Sequence, residues 1–274
     1  MKRLNALRAA CVAVTLASAA MACSKAESQQ NQPANPGTTQ PGSSAEQSRG
    51  SQPGAAKADC SNLPSADDLK KWLRSTPSES EAGGLMSGKM EWATVVNRRG
   101  EICATAVATD DPTSAWPGSQ SISKAKAYTA NAFSTDDTPL STARLYTLTQ
   151  PGHSLWGVAE PNPFNPECVV SPTDADKTKG KICGGAIPFG GGVPLYRNQT
   201  RVGGLGVSGD TACADHEIAK RIRHAAGLDP SKGQFADDIT FSSVDGPSQF
   251  SHPLCANTWR NGKKLGDEAK ASGY

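Results

Sequence analysis

The stretch Gly190-Gly191-Gly192-Val193-Pro194-Leu195-Tyr196-Arg197-Asn198-Gln199-Thr200-Arg201-Val202-Gly203-Gly204-Leu205-Gly206-Val207-Ser208-Gly209-Asp210 decides the fold. Apolar and glycine residues run from Ile187 to Tyr196 and again from Arg201 to Val207, and the pair Asn198-Gln199 separates them. That pattern predicts a β-hairpin with its turn at Asn198-Gln199. Asp210 then stands where a capping residue opens a helix, which runs through Ala226 and stops at Gly227. Residues 204–209 also fit G-x-G-x-x-G. A dinucleotide site needs that motif inside a parallel βαβ unit with an acid closing the second strand. Here the strand is the second arm of a hairpin, and Gly227-Leu228-Asp229-Pro230 starts no strand after the helix. The glycines are better read as letting the hairpin and the helix that follows it pack closely.

Working outward from the hairpin, Asp67 to Arg74 reads as a short helix ending before Pro77. Glu91–Asn97 and Ile102–Thr109 form a second hairpin around Arg98-Arg99-Gly100. Ser121–Phe133 is Ala-rich and helical, with Ile122, Ala125, Thr129 and Ala132 along one stripe. Thr138-Pro139 pairs a capping residue with a first-turn proline and predicts a helix through Leu148. An irregular stretch holds Pro161, Pro163 and Pro166, and Ile239–Phe241 is the last strand. Hairpin, helices, hairpin, helix is the order of an antiparallel α+β domain.

The beginning of the chain has a different character. Lys2, Arg3 and Arg8 precede a small apolar run, Ala9–Ala22, that ends Ala20-Met21-Ala22. This is the layout of a secretory signal peptide spanning residues 1–22. Cys23 follows directly and fits the acylated cysteine of a bacterial lipoprotein; Ala20 stands where Leu is usual, so cleavage without lipidation stays open. Residues 24–57 contain no Val, Ile, Leu, Met, Phe, Trp, Tyr or Cys. Such a segment buries too little apolar surface to offset its ordering entropy and reads as a tether reaching roughly 30 Å. The expected organisation is signal peptide (1–22), lipidated N-terminus and tether (23–57) and one domain (58–274), a periplasmic body hung from a membrane.

Loss of the three signal-peptide bases leaves 25 of the 28 Lys and Arg against 26 Asp and Glu. That balance lacks the basic surface that displaces phosphate counterions, so a nucleic-acid partner is excluded. Once Cys11 and Cys23 are set apart, six cysteines remain: Cys60, Cys103, Cys168, Cys183, Cys213 and Cys255. In an exported domain they imply disulfides, with 15 possible pairings. Cys168 and Cys183 flank a polar stretch and are the best local pair, a loop whose closure contributes about 3 kcal/mol. Cys213–Cys255 and Cys60–Cys103 would then fasten the two ends to the body. There is no C-x-x-C and no evident Cys/His cluster, so a zinc site is set aside.

Residues 174–178 begin like an EF-hand loop, but Lys179 and Gly185 occupy the positions that need Gly and Glu. No G-x-S-x-G elbow appears. Of the four histidines, His216 is the most informative. On the last helix Ala214, Ile218, Ile222 and Ala225 form a core stripe, which turns His216, Lys220 and Arg223 to the opposite face, either plain solvent or a basic surface able to meet carboxylates or another subunit.

Four segments together resemble the GlcG/HbpS-like haem-binding family, also called the haem-degrading domain. They are Glu91–Gly100, the helix Lys124-Ala125-Lys126-Ala127-Tyr128-Thr129-Ala130-Asn131-Ala132-Phe133, Gly190–Tyr196, and Val202–Asp210. The resemblance covers about half of the chain, in order. It implies a profilin-like α+β fold, an antiparallel sheet with helices on its faces, homo-oligomers, and haem or another tetrapyrrole as cofactor. The Pro-rich insertion around Cys168 and Cys183 departs from the short members. Haem asks for an apolar slot, a base for its propionates and an axial donor. By residue type, Tyr128, Phe189 and Tyr196 are candidates for the slot, Arg197 and Lys124 for the propionates, and His216, then His153, for the iron. The function implied is a periplasmic haem binder without turnover, used in storage, sensing or trafficking. The alternatives are an enzyme acting on haem or a small metabolite, and a ligand-free envelope module.

Overall fold

The computed structural model describes residues 59–79 and 82–269. The signal peptide, Cys23 and the tether lie outside the described residues. Helix α1 (Ala66–Glu79) leads to strands β1 (Trp92–Asn97) and β2 (Ile102–Val107), helix α2 (Pro117–Phe133), strands β3 (Gly192–Arg197) and β4 (Thr200–Ser208), and helix α3 (Ala212–Ala225). The four strands form one antiparallel sheet in the order β2-β1-β4-β3. The hairpin turn is at Asn198 and Gln199, both with positive φ (49° and 65°), a turn whose twist matches that of the flanking strands. No helix among the described residues is long and apolar enough to cross a membrane.

The two faces of the sheet are built differently. Ala93, Val95, Val193, Leu195, Leu205 and Val207 point to one side and close a core with Leu69 and Leu73 of α1 and Ile218 and Ile222 of α3. On the other side the alternate positions of β4 are Gly204 and Gly206. A Cβ at Gly206 would sit 2.0 Å from the Ser123 carbonyl oxygen, and one at Gly204 would sit 2.2 Å from that of Ala127. The strand is stripped of side chains so that the α2 backbone can lie on it. Serine and alanine on α2 complete the fit, with Ser123 Oγ 2.9 Å from Thr94 Oγ1. The glycine motif serves packing, and the helix it admits is α2.

Several local expectations are corrected. Helix α1 continues through Pro77 to Glu79; a proline in the last turn forfeits a single N–H bond. On α2, Ala132 is exposed and Ile122 half-buried, while Ser123, Lys124, Ala127, Ala130 and Asn131 are buried. The helix expected from Thr138 to Leu148 is two 3-10 turns, Thr142–Leu145 and Thr147–Thr149. Its hydroxyls are spent on distant carbonyls instead: Ser141 on Asp237, Thr142 on Phe189 and Thr147 on Ser251, each at 2.6–2.7 Å. Such side-chain bonds compete with helix formation. Thr211, not Asp210, caps α3, its hydroxyl accepting the Ala214 N–H. Asp210 instead accepts the backbone N–H groups of Leu85, Met86 and Gly88.

The chain does not end on the strand at Ile239–Phe241. Strand β5 (Thr240–Phe241) pairs in parallel with β6 (Ser251–His252), and β7 (Thr258–Arg260) pairs with β8 (Lys263–Gly266). Three disulfides join Cys60 to Cys103, Cys168 to Cys183 and Cys213 to Cys255. The first fastens the segment before α1 to β2, the second closes the Pro-rich insertion, and the third ties the start of α3 to the C-terminal extension.

Candidate functional site

Two groups of ionisable side chains meet at α3. Lys126 of α2 pairs with Asp215 at 2.6 Å, both buried, and also donates to the Val207 carbonyl at 3.1 Å. Asp215 accepts the N–H groups of Gly209 and Asp210 through its other oxygen. Glu91 lies beside this pair, fully buried, with neither carboxyl oxygen hydrogen-bonded by geometry. Burial first, then the neighbouring Asp215 charge, raises the Glu91 carboxyl well above its usual range. Burial raises Asp215 too, and the Lys126 charge opposes that shift. A Cβ at Gly191 would approach Lys126 Nζ to 2.7 Å. Lys126, Gly191, Gly209 and Asp215 thus lock α2, the hairpin and α3 together.

The opposite side of α3 is not open to solvent. His216 and Arg223 are 1% exposed and Lys220 is 5% exposed, because the extension covers them. Arg223 makes a bidentate pair with Asp237 at 2.8 and 2.9 Å. Lys220 donates to both oxygens of Asp238 and to Asn261. His216 Nε2 accepts the Ile239 N–H at 3.2 Å and lies 3.3 Å from Asp238. Its ring is a buried core member whose Nδ1 has no hydrogen-bond partner, closed to solvent by the extension.

The remaining residues chosen by type are not gathered into one slot. Tyr196 is buried, its hydroxyl donates to the Thr135 carbonyl at 2.6 Å, and burial pushes the phenol up to about 12. Lys124 is buried and donates to Gln120 Oε1 and the Cys168 carbonyl; burial brings its amine down to about 8. Phe189 lies 4.9 Å below the Lys126 ammonium. Tyr128 packs by Gly100, and Arg197 is exposed with its guanidinium on the Asn62 carbonyl. His153 is exposed in the turns that follow Pro151.

The site that does assemble an exposed donor lies at the C-terminal end of α3. Glu217, Lys220, Arg221 and His224 recur along one helical face and, with Phe235 and the Asn261-Gly262 turn, enclose an open cavity of about 610 Å³. Glu217 pairs with Lys220 at 2.6 Å and with Arg221 at 2.5 Å. The Phe235 ring is half exposed, with Lys220 Nζ 5.6 Å from its centre. Gly227, at φ 65°, turns the chain back after α3, and His224 Nδ1 donates to Asp229 at 2.6 Å. A carboxylate on Nδ1 fixes the tautomer and leaves the Nε2 lone pair outward. The imidazole is 62% exposed, so Nε2 can be reached. Sequence reasoning missed it because the two residues are joined only through that left-handed turn.

Two other cavities lack a donor. One of about 550 Å³ is lined by Arg98, Arg99 and Arg201 at the hairpin turns, where Arg98 pairs with Asp136 and Arg99 with Glu101. The other, about 300 Å³, is an apolar groove between Ile122 and Ala125 of α2 and Phe164 and Ile187. Neither is lined by His, Cys, Met or Tyr.

No curated protein matches this chain. Among solved structures, it is similar to the Klebsiella pneumoniae protein ORFY (23% identity, 59% of this chain and 87% of that one, TM-score 0.42). It is also similar to PduOC in a complex with haem (23%, 60% and 94%, 0.40) and to HbpS (18%, 58% and 84%, 0.34). The model of the family described as haem degrading protein HbpS-like matches residues 85–223, half of the chain. The chain therefore belongs to the HbpS-like haem-degrading protein family.

Proposed function

We propose that this protein binds haem, and that His224 is the residue whose nitrogen would hold its iron. The carrying observation is the His224–Asp229 pair at 2.6 Å on the rim of the 610 Å³ cavity. It presents a tautomer-fixed imidazole to an open space within the size range of ligand sites. Phe235 gives the ring system an aromatic wall. Family membership supports the reading, as does the haem in the PduOC complex. Bound haem would supply a redox-active iron; the chain's own part is to orient one nitrogen and one flat wall. The 550 and 300 Å³ cavities are poorer homes because they lack that nitrogen.

The proposal extends to location. Residues 1–22 would direct export, and Cys23 would carry the lipid that hangs the domain in the periplasm through its tether. Cys23→Ala should release the protein from membranes; a soluble wild type with an unmodified N-terminus contradicts the anchor. The ligand is tested by titrating ferric haem into the purified chain. A saturable Soret shift at one haem per chain supports binding, and no shift refutes it. Decay of that band under reductant and oxygen would make the protein a haem-degrading enzyme instead of a binder.

A further inference from the structure

The zinc reading set aside from the sequence returns in three dimensions. Cys213, His252 and Cys255 each place a ligand atom within 4.8 Å of the other two, and all three are buried. We propose that these residues form a reduction-gated site for a soft, thiolate-preferring cation of the Zn²⁺ type. In the oxidised protein the site is masked by the Cys213–Cys255 disulfide.

The contrast with the other disulfides carries the inference. All three bridges are structural staples, but among the described residues only this one has an imidazole at ligand distance. That imidazole is prepared for coordination. His252 Nδ1 lies 2.7 Å from the Pro253 carbonyl and donates to it, which leaves the lone pair on Nε2. Nε2 meets only a long N–H from Gly190, at 3.4 Å. Cys213 is the second residue of α3, where helix N–H groups favour a thiolate.

The residues should stay together once the bridge is open. The extension is held independently by Arg223–Asp237, by Lys220–Asp238 and by the Thr147 hydroxyl on the Ser251 carbonyl. Thr258 fixes Cys255 on both sides, accepting its N–H and donating to its carbonyl at 2.7 Å. The chemistry balances: a dithiol reductant gives two electrons and two protons to the disulfide and leaves as its own disulfide. The two thiols then release their protons as the cation binds. Three protein ligands leave the fourth position to a small molecule, as in open zinc sites.

The test uses the full chain, reduced anaerobically with a phosphine that does not itself compete strongly for metal. Chelator competition should then show one Zn²⁺ per reduced chain and none per oxidised chain. Co²⁺ in its place should give a thiolate charge-transfer band. Cys213→Ser should abolish that band, and His252→Ala should weaken binding at least about tenfold. The double variant Cys168→Ser/Cys183→Ser, which removes a bridge without an imidazole, should bind as the wild type does. The proposal is overturned if the reduced chain keeps its far-ultraviolet circular dichroism but binds no Zn²⁺. It is equally overturned if His252→Ala binds unchanged, or if reduction unfolds the domain. Haem titration is independent, because His224 is not part of this trio.

Discussion

The Asp215 side of α3 and its His216 side are both filled with buried charge, yet they belong to different parts of the molecule. On the first side Lys126, Glu91 and Asp215 come from the half that matches the family, and they join the helices to the sheet. On the second side, His216, Lys220 and Arg223 meet Asp237, Asp238 and Asn261 from beyond the matched region. The residues that carry the family pattern build the scaffold. The exposed histidine and the masked cysteine pair both depend on the extension. In this chain the shared half supplies architecture, and the added segment covers the second side of α3.

The largest effect should come from separating the two parts. Asp237→Ala leaves the Arg223 guanidinium buried without its bidentate partner, and breaking such a pair costs about 3–5 kcal/mol. Urea unfolding of the variant measures this. If the extension were a loose appendage, the loss would stay under about 1 kcal/mol.

Acid should then set the two parts against each other. His252 titrates at about 4 in the fold against 6.5 in the unfolded chain. The unfolded state therefore binds more protons between pH 6.5 and 4, and stability from this group is lost as pH falls through that window, by about 3 kcal/mol in all. Glu91 has the opposite sign. Its folded carboxyl is raised, so its contribution falls as pH rises above the ordinary carboxylate range. In the wild type the two slopes partly cancel. Thermal melts of Glu91→Gln should show stability climbing from pH 4 to 6.5, and His252→Phe should show no such climb. Equal profiles would mean that the extension does not report on acid as described.

A smaller loss is expected inside the matched half. Gly206→Ala puts a Cβ against the Ser123 carbonyl of α2 and should cost about 1–3 kcal/mol by overpacking. Gly180→Ala, where nothing lies within 4 Å but φ is 80°, separates backbone strain from the loss of the α2 approach.

Much of the scaffold was legible before the structure. Asn198-Gln199 marked the turn and spacing found the local Cys168–Cys183 bridge, while the β4 glycines, read as packing on the following helix, admit α2 instead. These features are local or periodic. What failed depended on tertiary partners. The helix expected from Thr138 lost to hydroxyls bonding Asp237, Phe189 and Ser251. The stripe on α3 identified the core side correctly and left a basic face for solvent or carboxylates; the carboxylates it meets are the chain's own Asp237 and Asp238, since a 3.6-residue period does not announce that a later segment will cover it. The candidate site was hidden for the same reason. His224 and Asp229 meet across a glycine turn, and His252 and Cys255 reach Cys213 through a fold-back of about forty residues.

The most direct test of the account is the haem spectrum of His224→Ala beside those of His216→Ala and His153→Ala, each checked for an intact fold by circular dichroism. The account predicts that His224→Ala alone shifts the Soret maximum and weakens binding by at least about tenfold, and that Asp229→Asn weakens it less. A His224→Ala spectrum identical to that of the wild type, with full affinity, would contradict it.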